Sequence, residues 1–228
     1  MNRTTYRQLM ITGYIGLLGS LLMFAGDMLL YFTSKPVDNI EQEILSNMGG
    51  VPLGRMYAGG LVGPLAVCMY LIGFYHLYLA VREPQKMMAK IMLAILCIAI
   101  IIGGTYHAFF PAFGIVARQG HPELIDPLMN YAAYLGIGMF ILVGIGLLIF
   151  AGIVLAKKTI YPRWIVIVNP MVTLWLGFLW QYLPQPYLMI IGGGWNSLVF
   201  GLLLAASLIV LRVNRNNLVN ESTPITEV

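Results

Sequence analysis

The sequence predicts an all-α integral membrane protein: a single bundle of six transmembrane helices with the N-terminus and the C-terminus both cytoplasmic. Three observations predict it. Of the 228 residues, 59% are hydrophobic and only 10% charged, and the mean hydropathy is +0.82, far from the values of soluble domains. Six apolar runs each reach the roughly 20 residues that a helix needs to cross about 30 Å of hydrocarbon. Lys and Arg gather in alternate connections, the pattern that sets orientation.

The first run, about 9–32, follows a polar start with Arg3 and Arg7. It exceeds the ~7 to 15 apolar residues of a signal-peptide core and is followed by further spans, so it reads as a transmembrane helix. Gly13, Gly16 and Ser20 share its helical stripe with Asp27, which lets a neighbouring backbone approach and turns Asp27 into the bundle. The longest loop, 34–54, carries Lys35, Asp38, Glu41 and Glu43, allows a short amphipathic segment at 40–45, and ends in a Gly- and Pro-rich stretch that folds back over the bundle mouth. The second helix, about 55–81, holds Pro64 as a kink and His76 near its end.

After the polar connection Arg82-Glu83-Pro84-Gln85-Lys86, the third helix runs over about 88–110 and stops at Pro111. The fourth, about 127–156, opens on Pro127, a residue suited to a helix start, and carries glycines fit for close packing. The fifth, about 162–182, contains Asn169-Pro170, and the sixth, about 187–211, contains Gly192-Gly193-Gly194. Asn169 is expected to hydrogen-bond between helices and His76 to be a packed, bonded histidine. From Arg212 onward the tail is polar and reads as mobile. The whole chain, 1–228, is one membrane domain.

Putting the N-terminus, the 82–90 and 157–163 turns and the C-terminal flank on one side collects all of the 13 Lys and Arg except Lys35, Arg55 and Arg118. The positive-inside rule makes that side the cytoplasm, and the setting fits a bacterial cytoplasmic membrane. The same dispersal speaks against nucleic acid as a partner, because no basic patch forms. Cys68 and Cys97 lie in apolar runs without a Cys-x-x-Cys spacing, and read as buried small hydrophobes. No His-x-x-x-His, no phosphate-binding glycine loop and no Gly-x-Ser-x-Gly occurs, so neither a metal nor another cofactor is expected.

The functional pointer is Asp27, the only acid within an apolar run. An ionisable group in hydrocarbon costs at least roughly 2.5–3.5 kcal/mol and therefore faces a partner or a wet cavity. At about 1.5 Å per residue it lies ~9 Å from the outer end of its helix, and His107 ~6 Å from the outer end of the third. Arg55, Tyr57 and Tyr106 fall in the same layer, as do Asn130, Tyr131 and Tyr134 of the fourth helix. Trp180 of the fifth and Trp195 and Asn196 of the sixth complete it. Such a layer describes an outward-facing polar and aromatic pocket for a small amphipathic or lipid-like molecule. Asp27 pairs there either with His107, as the acid and base of an intramembrane enzyme acting on a lipid, or with Arg55, as a structural ion pair. A small-molecule transporter is a further reading, requiring a polar route past Asn169 to His76. Membrane lipids are the expected partners, and the glycine stripes allow an oligomer.

Overall fold

The structure, a computed structural model, describes residues 3–34, 37 and 40–220. Its helices are α1 (Arg3–Tyr31), α2 (Ile40–Asn47), α3 (Leu53–Leu79), α4 (Lys86–Arg118), α5 (Ile125–Leu155), the short α6 (Pro170–Thr173), α7 (Trp195–Val213) and α8 (Arg215–Asn220). The fold is all-α. Among the described residues the only β pairing is an isolated bridge between Val81 and Thr159. Five helices, all but α2, α6 and α8, are long and apolar enough to cross a membrane, which marks a multi-pass integral membrane protein.

Neighbours run in the order α7, α1, α3, α4, α5. Glycine sets the tightest of these approaches. A Cβ placed on Gly16 would sit 2.5 Å from the Cα of Gly73, so α1 and α3 touch backbone to backbone. At one end of the bundle Tyr6 donates to the carbonyl of Leu211, joining the start of α1 to the end of α7. His76 is fully buried there, with Nδ1 2.8 Å from the Leu9 carbonyl and Nε2 2.8 Å from both Ser207 Oγ and Tyr161 Oη. At the other end Tyr31 donates to the carbonyl of Gly193. Residues 162–194 therefore climb from the His76 end to the Asp27 end.

That climb departs from the expected α-helix over 162–182. It begins with a 3-10 helix, Arg163–Val168, turns extended at Asn169, makes one turn of α6, and continues as a second 3-10 helix, Leu174–Tyr182. Pro170 explains the break, since it has no N–H to continue a helix through Asn169. The Asn169 side chain caps α6 by accepting from the Met171 N–H and donates to the Leu147 carbonyl on α5. With three residues per turn, Leu174, Gly177 and Trp180 face inward while Trp175 and Phe178 face out. The expected last helix likewise opens with a π-helical turn, Leu188–Gly192, before α7.

Two further expectations are corrected. Pro111 does not end the third span, for α4 continues to Arg118. The proline ring packs where Gly60 of α3 leaves room, the Met48–Gly50 turn packs on the extension, and Arg118 donates to the Val51 carbonyl at 2.6 Å. These contacts offset the ~3 kcal/mol that an interior proline costs. The Gly-rich loop end thus folds onto α4, and the amphipathic segment at 40–45 is part of α2. The tail is helical through α8, while residues 221–228, like Lys35 and Asp38, lie outside the described residues. Cys68 is exposed and Cys97 half-buried, because an apolar run in a membrane protein supplies the lipid-facing surface as well as the core.

Candidate functional site

Asp27 sits one helical turn before the end of α1, with only 13% of its side chain exposed. Ser197, on the first turn of α7, donates to its Oδ2 at 2.9 Å. Its Oδ1 lies 3.4 Å from Nδ1 of His107, an ion-pair distance rather than a tight hydrogen bond. The other ring nitrogen of His107, Nε2, is 3.1 Å from the carbonyl of Gly59. A carbonyl only accepts, so Nε2 carries a proton. A proton on Nδ1 or on Oδ1 then makes the histidine–aspartate contact attractive; with neither, two lone pairs face each other. Glycines make the space for this arrangement. A Cβ on Gly63 would collide with the imidazole, and one on Gly26 would stand 3.2 Å from its Nε2.

Arg55 does not pair with Asp27. Its guanidinium donates to the carbonyls of Met28, Leu29 and Phe32 at 3.0, 2.9 and 2.6 Å. They lie at the C-terminal end of α1, where the Met28 carbonyl also accepts from the Phe32 N–H and where the helix dipole favours a cation. Arg55 is thus a helix cap supplied by α3, and of the two partners considered for Asp27 only His107 is at hand.

Beside the pair lies a cavity of about 210 Å³. Asp27, His107, Tyr106 and Asn196 line it, together with Tyr31, Tyr70 and Ser197. The remaining wall is apolar, with Phe110, Met139, Phe140, Val143, Leu174 and Phe200 prominent. Tyr70 is only 2% exposed, held edge-on to Phe200, and its hydroxyl has no hydrogen-bond partner among the described residues. That hydroxyl is nevertheless not among the fully enclosed unpaired atoms, so its free side is the cavity. Gly193 also lines the space; the glycine triplet serves both a close approach to Tyr31 and Phe24 and the cavity wall.

The other residues expected in the layer do not line this cavity. Tyr57, Asn130, Tyr131 and Tyr134 are exposed on the bundle surface, as an interfacial aromatic belt is. Trp195 packs into the main core with its indole N–H toward the Leu174 carbonyl at 3.4 Å, and Trp180 packs in the cluster at the Asp27 end. Sequence reasoning missed Ser197, Tyr31 and Tyr70. Tyr31 was legible as the residue one turn beyond Asp27 on the same face. Ser197 and Tyr70 gave no signal, since a serine or tyrosine in an apolar run is ordinary. Among the described residues no group of three His, Cys, Asp or Glu side chains converges to hold a metal.

No curated protein and no solved structure matches this chain. Residues 1–214 match the model of a family of unknown function, DUF6796, and the chain belongs to that family.

Proposed function

We propose that the protein binds a small amphipathic or lipid-like molecule in the cavity beside Asp27. The observation that carries this reading is the hydroxyl of the otherwise buried Tyr70, without a partner among the described residues and facing the same space as the Asp27–His107 pair. A buried polar group without a partner costs about 1–3 kcal/mol, and a bound polar group removes that cost. Aromatic and aliphatic walls around few polar groups are the usual composition of a ligand pocket. The six-span arrangement with cytoplasmic termini belongs to the same proposal, the limb over 163–182 being the fifth crossing. At about 2 Å per residue a 3-10 limb of that length is ample for the hydrocarbon layer.

The test is extraction of the protein in mild detergent, followed by mass spectrometry of what it retains. Met139→Trp, which fills the cavity from α5, is the comparison. A hydrophobic compound that copurifies with the native protein in stoichiometric amount and is lost from a folded Met139→Trp variant supports the reading; equal retention, or none in either, opposes it.

A second reading is favoured by the 3.4 Å separation of His107 and Asp27. A histidine and a carboxylate at that distance beside a cavity are the arrangement that acid–base chemistry on a bound lipid needs. Turnover of the retained compound that is abolished in Asp27→Asn while binding persists supports an enzyme. Transport is not favoured: the His76 end is closed by a fully bonded, buried network within the main core.

A further inference from the structure

The cavity is unevenly walled. Its inner sides are α1, α3 and α4, packed on one another, and α7, packed on α1. Its outer side is the seam between α5 and the 3-10 limb Leu174–Tyr182. Those two elements barely touch, although α5 does meet the limb lower down, at 163–173. Phe140 on α5 and Asn196 on α7 line the cavity and are also exposed on the surface of the bundle. Around them Ile137, Ile141, Trp175 and Phe178 are more than half exposed and wholly apolar in character, a surface made for acyl chains. The opening therefore faces the bilayer.

Charge narrows the occupant. Among the described residues no Lys or Arg lines the cavity, so a phosphate headgroup finds no cation from them there. Asp27 already has Ser197 and His107, so it offers no free anion to a quaternary ammonium. What remains is neutral hydrogen-bonding capacity: the unpartnered hydroxyl of Tyr70, that of Tyr106, and the remaining lone pairs of Asp27. Size narrows it again. A cavity of about 150 Å³ is enough to take up benzene, and this one is about 210 Å³, room for a substituted ring but not for a long chain as well. Its walls are ring-shaped surfaces, Phe110, Phe140 and Phe200 with Tyr70 and Tyr106, against which a flat ring packs edge or face.

Resting on the binding reading above, we infer that the ligand is a neutral lipid with a hydroxylated ring for a head. Its ring hydroxyl donates to Asp27 and accepts from Tyr70, and its tail leaves through the seam between α5 and Leu174–Tyr182 into the bilayer. The hydroxyl is the group that answers both needs at once, as donor to a carboxylate and acceptor from a phenol.

The experiment uses the full chain in lipid nanodiscs and three probes of equal tail length: pentadecylphenol, its methyl ether, and a pentadecyl trimethylammonium salt. A diazirine on the tail of the phenol maps where that tail lies. The phenol is expected to bind about tenfold more tightly than the ether, the worth of one hydrogen bond to a charged group, and the ammonium more weakly than either. Tyr70→Phe, which removes one oxygen and no protein contact, should cut the affinity of phenol and ether alike roughly fivefold, because the oxygen of either accepts from Tyr70 while only the phenol donates to Asp27. The diazirine should label residues of α5 near Phe140 and of 174–182. Equal affinity for phenol and ether, tightest binding of the ammonium, or tail labelling confined to other faces overturns this ligand class and route while the pocket itself stands. Failure of all three probes, together with no retained compound after extraction, removes both the inference and the binding reading.

Discussion

At the residue scale the site is defined by one carboxylate in a place where a carboxylate is expensive. Asp27 is tolerated because Ser197 bonds one oxygen and His107 stands by the other, while Arg55 nearby neutralises the carbonyl end of α1 rather than the acid itself. The two side chains act as a unit, so their mutations are expected to be non-additive. Asp27→Asn and His107→Gln, singly and together, should show a coupling of at least about 0.5 kcal/mol in reversible unfolding in detergent; strict additivity means that the 3.4 Å contact is incidental. Gly63→Ala tests the same contact from behind. The added methyl occupies the position of the imidazole, so the variant should lose about 1–3 kcal/mol and any ligand affinity together. Asp27 was legible in the sequence because acids are rare in apolar runs, and its link to His107 followed from depth along two helices. The choice between His107 and Arg55 was not legible, since it depends on which way α3 carries a guanidinium.

At the element scale the contrast is between α1 with α3, closed on glycine, and the limb 163–194, assembled from 3-10, extended and π-helical pieces. A 3-10 run of 9 residues is long for that geometry, and irregular backbone at membrane depth persists where it borders a cavity. Leu174 and Gly193 of this limb do border it. Hydrogen exchange read by mass spectrometry in nanodiscs should find amides of 174–194 exchanging at least tenfold faster than those of 13–30, and slowing when ligand binds; uniform protection across both contradicts a looser limb. Gly16→Leu should destabilise by well over 1 kcal/mol, because its side chain meets backbone at Gly73, while leaving the affinity of the folded fraction intact. Apolar length gave away the long helices, yet periodicity could not distinguish 3.6 from 3.0 residues per turn in a run as uniformly apolar as Leu174-Trp175-Leu176-Gly177-Phe178-Leu179. Pro111 misled for a related reason: the partners that hold α4 straight past it, Gly60 and the Met48–Gly50 turn, are remote in sequence.

For the whole molecule, composition and the placement of Lys and Arg made the class legible, and five helices of spanning length agree with it. The structure brings the start of α1, the end of α7 and residues 159–161 to one end, around His76. Single cysteines at Lys158 and Asn214 in a background without Cys68 and Cys97 should therefore be labelled by an impermeant maleimide from one face of sealed vesicles, and one at Gln119 from the other. Labelling of Lys158→Cys and Asn214→Cys from opposite faces would sink the six-span arrangement. What composition could not supply is the seam between α5 and the limb, because two lipid-facing surfaces look alike in sequence whether or not they close on each other.

The most direct measurement is an experimental density map of the native protein in nanodiscs at a resolution that shows side chains. The expected result is elongated non-protein density with its compact end within hydrogen-bonding distance of Tyr70 Oη and Asp27 and its extended end between Phe140 and Leu174. An empty site in which Phe140 and Leu174 close the seam and Tyr70 turns to bond Asp27 would contradict a ligand pocket there.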